Sequence, residues 1–217
     1  MSALWRGLAL TVLYWAALFG LAGRLDLPQL WLFWGIGALA MLAGTLTIPA
    51  VVVKEQVRPA PGGFDRSGRI GVMVLSSLVG LVGALDVGRF HWPDSVPSPL
   101  QLAGLLAYAA GIAFLIWAMA VNEFFSPVIR VAAERGHRLV TAGPYGWVRH
   151  PGYLGMIVGY GASGLALGSW TAFALSFATA MLVLRRVVLE DRYLQQHMAG
   201  YPEYTRRVPY RLIPGLW

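Results

Sequence analysis

The side chains able to do chemistry gather in two stretches. Residues 122–151 hold Asn122, Glu123, Arg130, His137, Arg138, Arg149 and His150; a second group, Arg185-Arg186 and Glu190-Asp191-Arg192, follows about forty residues later. Arg186 and Glu190 are four apart, so on a helix they share a face. On spacing alone they read as a helix-end ion pair worth a few tenths of a kcal/mol. Arg185 reads as a cation that snorkels to a membrane surface. His137 and His150 each read equally as loop histidines, and two histidines thirteen residues apart with no third ligand nearby make a weak metal site. The chain has no cysteine, which excludes a thiolate nucleophile, a disulfide framework and a cysteine metal site.

The elements that must position these groups are membrane helices. Of 217 residues, 57% are hydrophobic and only 12% charged. Soluble domains have roughly 45–50% and ~25%. That excludes a soluble globular domain, a disordered chain and a coiled coil. The net charge of +7 fits loops held at an anionic membrane face, not nucleic-acid binding. Charge-free runs cover residues 7–23, 27–53, 70–85, 95–122 and 151–184. A span needs ~20 apolar residues, so the first four runs each predict one helix. The last run is too long for one span and divides at Gly168-Ser169 into residues 151–167 and 170–189. An apolar run after Arg6 has the shape of a signal peptide, but it is read as a retained helix because further spans follow.

Charge asymmetry favours six spans. With a cytoplasmic N-terminus, six spans place all but Arg24 and Arg89 of the 17 basic residues on the inside, whereas five spans would move six arginines to the outside. The sequence therefore predicts an all-α, polytopic membrane bundle of six helices. The last two form a tight hairpin, and both termini are cytoplasmic. The hairpin enters and leaves on one face, so both polar clusters lie on the cytoplasmic side. A cavity there could admit a charged soluble cofactor from the cytosol and a lipid-like substrate from the bilayer. Trp5, Trp31, Trp34, Trp92 and Trp170 sit near span ends and read as an interfacial aromatic belt. Residues 54–69, with Pro59, Pro61, Gly62 and Gly63, read as a turn-rich connector whose basic residues face lipid headgroups.

Some motifs mislead. Gly159-Tyr160-Gly161-Ala162-Ser163-Gly164 matches a dinucleotide fingerprint but lies inside a predicted span with no strand before it. With Gly155, these glycines predict close helix packing instead. No phosphate-binding loop and no serine-hydrolase elbow are present.

The run from His137 to Gly155, with its core Gly143-Pro144-Tyr145, Val148-Arg149-His150-Pro151, Tyr153 and Gly155, resembles the isoprenylcysteine carboxyl methyltransferases and their phospholipid-methyltransferase relatives. So does the later series Glu190-Asp191, Leu194, Gly200-Tyr201, Tyr204, Arg207-Val208-Pro209 and Leu212-Ile213-Pro214-Gly215. The resemblance covers about residues 99–217, and residues 1–98 share only their transmembrane character. It divides the chain into three N-terminal spans (1–98) and a catalytic region (99–217).

The resemblance implies an integral membrane methyltransferase using S-adenosyl-L-methionine. His137, Arg138, Leu139, Val140, Tyr145, His150, Pro151, Gly152, Tyr153 and Glu190 would bind the cofactor, and Arg186 matches a substrate-associated position. Two departures stand out: Ala132 and Ala133 replace an expected glutamine, and the acidic pair is Glu-Asp in place of Glu-Glu. The chemistry suits these residue types. Glu190 can pair with the cofactor's ammonium, His150 or backbone N–H groups with its carboxylate, and Tyr145 or Tyr153 can face its sulfonium. A carboxylate acceptor needs no base and could be held by Arg186; an amine or thiol would need one, with His150 and Glu190 as the candidates. The expected partners are a lipophilic acceptor and membrane lipid, with no nucleic acid, and the oligomeric state is open. Two other readings compete: a nicotinamide-dependent reductase akin to membrane sterol reductases, and a non-catalytic lipid-binding protein.

Overall fold

The computed structural model describes residues 3–92 and 96–217. The chain is an all-α membrane bundle. In chain order the helices are α1 (Ala3–Ala22), α2 (Pro28–Thr47), α3 (Ala50–Val57), α4 (Arg66–Leu85), α5 (Ser98–Val121), α6 (Pro151–Leu167), α7 (Trp170–His197) and α8 (Tyr201–Arg207). Among the described residues, four segments are long and apolar enough to cross a bilayer: Pro28–Thr47, Arg66–Phe90, Ser98–Val121 and Trp170–His197. Their outer faces carry exposed apolar side chains such as Leu39, Leu46, Met73 and Leu106, as expected where lipid is the solvent. The side chains of Trp5 and Arg6 lie outside the described residues.

The expected run 27–53 is not one helix. Ile48 is extended (φ −80°, ψ 129°) and α2 stops at Thr47. The cause is Pro49, which has no N–H to donate and bars the residue before it from helical geometry. The hairpin break falls where the sequence placed it. Gly168 ends α6 at φ +85°, a left-handed conformation that suits glycine. Ser169 then caps α7, its side chain accepting from the Ala172 N–H at 3.0 Å.

Glycines set how closely α6 approaches its neighbours. A Cβ on Gly111 of α5 would lie 2.3 Å from Gly159 N, and one on Gly155 would lie 2.6 Å from Leu115 N. On the other side, a Cβ on Gly164 would meet the backbone of α7 at 2.2 Å from Phe173 N. α6 is thus seated backbone to backbone between α5 and α7, and the false dinucleotide fingerprint is this packing seam.

A second core joins α1, α2 and α4 through Leu18, Leu30, Trp34 and Val79. Trp34 belongs to it, 4% exposed and stacked on Trp15 at 5.7 Å, so it is not part of an aromatic belt. Trp31 and Trp92 do face outward. α7 is about 42 Å long at ~1.5 Å per residue. It is longer than the ~30 Å hydrocarbon layer is thick.

Candidate functional site

Asp191 organises the polar end of the bundle. It is fully buried and accepts from five side chains. Arg149 meets it in a fork, Nε to Oδ1 at 2.9 Å and a terminal nitrogen to Oδ2 at 3.4 Å. His150 Nε2 lies 3.2 Å away, Tyr201 donates at 2.9 Å, Gln195 at 2.9 Å and Arg211 at 2.9 Å. The segment entering α6, α7, α8 and the C-terminal tail thus converge on one carboxylate. Backbone bonds reinforce this, since the N–H groups of Arg149 and His150 donate to the carbonyls of Tyr210 and Arg211. Because an ionised Asp191 can only accept, His150 Nε2 carries its proton there.

A second convergence comes from the N-terminal half. Asp65, left-handed at φ +60° before α4, reaches Arg185 at 3.1 Å and lies 3.1 Å from Arg186 Nε, an ion-pair distance without hydrogen-bond alignment. Arg186 also donates to the Pro127 carbonyl at 2.8 Å. Buried Glu55 lies 3.4 Å from Arg130 and accepts from Ser126 at 3.1 Å. Arg130 also binds Glu134. Phe64 and Ile129 exchange both backbone hydrogen bonds, at 3.1 and 3.3 Å. The stretch read as a connector is therefore fastened to the polar segment by two buried acids. Arg185 is tethered rather than simply snorkelling, and Arg186 pairs with Asp65 instead of Glu190.

Between these convergences lies a cavity of about 450 Å³, within the ~300–1,000 Å³ typical of small-molecule sites. Of the residues singled out from sequence, His137, Leu139, Val140, Tyr145, His150, Gly152, Tyr153, Arg186 and Glu190 line it. Arg138 does not; its side chain is 79% exposed and pairs with Glu123 at 3.2 Å. Pro151 is buried as the first residue of α6, where its missing N–H costs nothing. Tyr153 donates to Glu190 at 2.6 Å, fixing the carboxylate at the wall, and the Arg186 guanidinium lies 5.9 Å from the Tyr153 ring centre. Tyr145 accepts from Asn122 at 3.0 Å, and its carbonyl accepts from Tyr204 at 2.6 Å. Burial pushes the Tyr145 phenol well above its ordinary range, so it stays neutral.

His137 stacks on Phe124 at 4.4 Å and accepts from the Ala132 N–H through Nδ1 at 3.1 Å. Its proton therefore sits on Nε2. Burial, reinforced by Arg135 and Arg130, lowers it to about 4. The sequence reading missed Glu55, Asp65 and the hub role of Asp191. The signal available was an acid on either side of a basic connector, but nothing local says which distant arginine such an acid meets.

Residues 103–196 match the family model described as the isoprenylcysteine carboxyl methyltransferase (ICMT) family. Over 90 residues, 40% of its length, the chain is 39% identical to the Delta(14)-sterol reductase of Mus musculus, covering 22% of that protein. It is 32% identical over 147 residues to the cobalt-zinc-cadmium resistance protein CzcN of Cupriavidus metallidurans, spanning 65% of this chain and 62% of that one. It is also 32% identical over 87 residues to the protein-S-isoprenylcysteine O-methyltransferase B of Arabidopsis thaliana, spanning 39% and 44%. The chain thus spans between about a fifth and three fifths of these relatives.

Proposed function

Through residues 103–196 the chain belongs to the isoprenylcysteine carboxyl methyltransferase family, and on that premise we propose that it is a membrane methyltransferase using S-adenosyl-L-methionine on a lipophilic acceptor, an isoprenylcysteine-like carboxylate by resemblance. The observation that carries this is the Glu190 carboxylate, held by Tyr153 at 2.6 Å on the wall of a cavity shared with His137, Leu139, Val140 and Tyr145. The donor set suits the cofactor. Among the described residues Glu190 is the one acid on that wall and would take an ammonium; the Tyr145 and Tyr153 rings would face a sulfonium; Leu139 and Val140 supply apolar surface. When bound, the cofactor supplies an electrophilic methyl group.

The chain's own part is positioning and exclusion of water. Arg149 and His150 are clamped to Asp191, so the turn carrying Tyr145 to Tyr153 cannot drift from α7. His150 Nε2 already donates to Asp191, which makes it a positioning residue at that nitrogen. Arg186, 3% exposed, stands on the cavity wall with its charge paired to Asp65 at 3.1 Å. Tyr160 also lines a second cavity of about 170 Å³ deeper among α1, α2, α4, α5, α6 and α7, which supports an apolar tail reaching inward. The reading includes six spans with cytoplasmic termini, adding α1 and α6 to the four long apolar segments. In this cysteine-free chain, Trp92→Cys and Thr205→Cys should label with an impermeant maleimide from opposite sides of the membrane; labelling from one side would refute six spans.

Glu190→Gln tests the site. S-adenosylhomocysteine binding, titrated calorimetrically in detergent, should fall at least tenfold while helical content stays unchanged. Undiminished affinity would remove Glu190 from the site. The match to a sterol reductase favours one other reading, a nicotinamide-dependent reductase, for which NADPH in place of S-adenosylhomocysteine would bind the wild-type chain. A non-catalytic role gains no support from a cavity of about 450 Å³ at this place.

A further inference from the structure

We propose that Arg69 and Gln56 form an oxyanion-holding corner of this cavity, one that takes the negatively charged head of the methyl acceptor. The proposal rests on the methyltransferase reading, but both residues lie outside the matched region 103–196.

Charge pairing singles out the corner. Among the described residues four arginines line the cavity: Arg69, Arg130, Arg149 and Arg186. Three are neutralised, Arg149 by Asp191 at 2.9 Å, Arg186 by Asp65 at 3.1 Å and Arg130 by Glu55 at 3.4 Å. Among the described residues no carboxylate lies within ion-pair reach of Arg69, whose one side-chain bond goes from a terminal nitrogen to the Gln56 carbonyl at 3.0 Å. A guanidinium has five N–H donors, so a fork remains free.

Gln56 adds a second, independent sign. Its Nε2 is buried with no hydrogen-bond partner, and a buried donor left unmade is costly. Both free groups are donors, and one oxyanion would satisfy both. Helix geometry adds the apolar half of the ligand. Arg69, Val72 and Met73 follow one another at i, i+3 and i+4 on α4, and all three line the cavity. The charge therefore stands at the edge of a hydrophobic wall, as an oxyanion on an apolar tail requires. Glu190, the acid on the wall, repels such a head and favours the cationic cofactor, so the two ligands sort to opposite poles.

The test uses the full-length chain in an uncharged detergent. An S-prenylated N-acetylcysteine, its neutral methyl ester and a lysophosphatidic acid are titrated against wild type, Arg69→Met and Gln56→Leu. S-adenosylhomocysteine is titrated in parallel. Wild type should prefer the free acid over the ester by tenfold or more. Arg69→Met should erase that preference and Gln56→Leu reduce it several-fold, with S-adenosylhomocysteine affinity within twofold throughout. If Arg69→Met does not fold, Gln56→Leu decides by the same measure. Equal binding of acid and ester, binding of neither, a preference that survives the substitutions, or Arg69-dependent binding of the phosphate lipid alone overturns the proposal. Failure of S-adenosylhomocysteine to bind wild type would instead sink the methyltransferase reading, and the acid-to-ester ratio reports separately.

Discussion

Asp191 shows how much one side chain can carry. It is fully buried, yet the arginines 149 and 211 both reach it at 2.9 Å. Neutralising a carboxylate in that position strands two cations, one of them buried, and breaking a buried pair costs about 3–5 kcal/mol. Asp191→Asn should lower the unfolding midpoint in detergent by several degrees, and it should weaken S-adenosylhomocysteine binding indirectly by freeing His150. Its neighbour Glu190 should behave differently, losing binding without losing stability. The sequence grouped the two as an acidic pair. Their division of labour follows from helix geometry, in which adjacent residues point about 100° apart, but which direction faces the cavity depends on where the tail docks. Of the eleven residues the resemblance singled out, nine line the cavity. The resemblance had no means of showing that Arg138 turns outward to Glu123.

His137 makes a second prediction at the same scale. Held at about 4 in the folded chain against ~6.5 when unfolded, it stays neutral throughout pH 5–8. Its ring resonances in a selectively labelled sample should not titrate until the pH falls below about 5. The sign of the linkage follows: its contribution to stability is fully present above pH 6.5 and is lost as the pH falls toward 4, because the unfolded chain takes up the proton first.

At the level of helices, the α5–α6 seam decides whether the site exists. Gly111, Gly155 and Gly159 let two backbones touch, and a Cβ on Gly111 would meet Gly159 N at 2.3 Å and its Cα at 2.6 Å. Those atoms are backbone and cannot swing aside. Gly111→Leu should therefore push α6 off α5, with a destabilisation of ~3 kcal/mol or more from overpacking and loss of ligand binding. Gly35→Ala, on an open face of α2 with no atom within 4 Å, should be neutral to within ~1 kcal/mol. Thermal unfolding of the two variants beside wild type separates a packing requirement from a general intolerance of side chains. The small-residue spacing and the Gly168-Ser169 break were legible because each is local. The end of α2 was not, because a charge-free run measures apolarity and is blind to the hydrogen bond that Pro49 cannot make.

On the scale of the whole molecule, the chain is not two independent halves. A division at residue 98 follows the family resemblance, but Glu55 and Asp65 cross it to hold Arg130 and Arg186. Charge counting explains why this stayed hidden. It sorts residues by side of the membrane and cannot pair an acid before α4 with an arginine 121 positions later on α7. A double-mutant cycle tests whether the pairing integrates the fold. Asp65→Asn leaves the Arg186 side chain, 4% exposed, without its counter-charge, and should cost about 3–5 kcal/mol. Arg185, with its side chain 57% exposed, is worth less than ~1 kcal/mol to the same acid, so Arg185→Ala should change little. Asp65→Asn combined with Arg186→Met removes both charges, and the double variant should recover most of the stability lost by the single one. Additive losses would mean that Asp65 and Arg186 do not support one another, and that the N-terminal helices rest against the site without helping to build it.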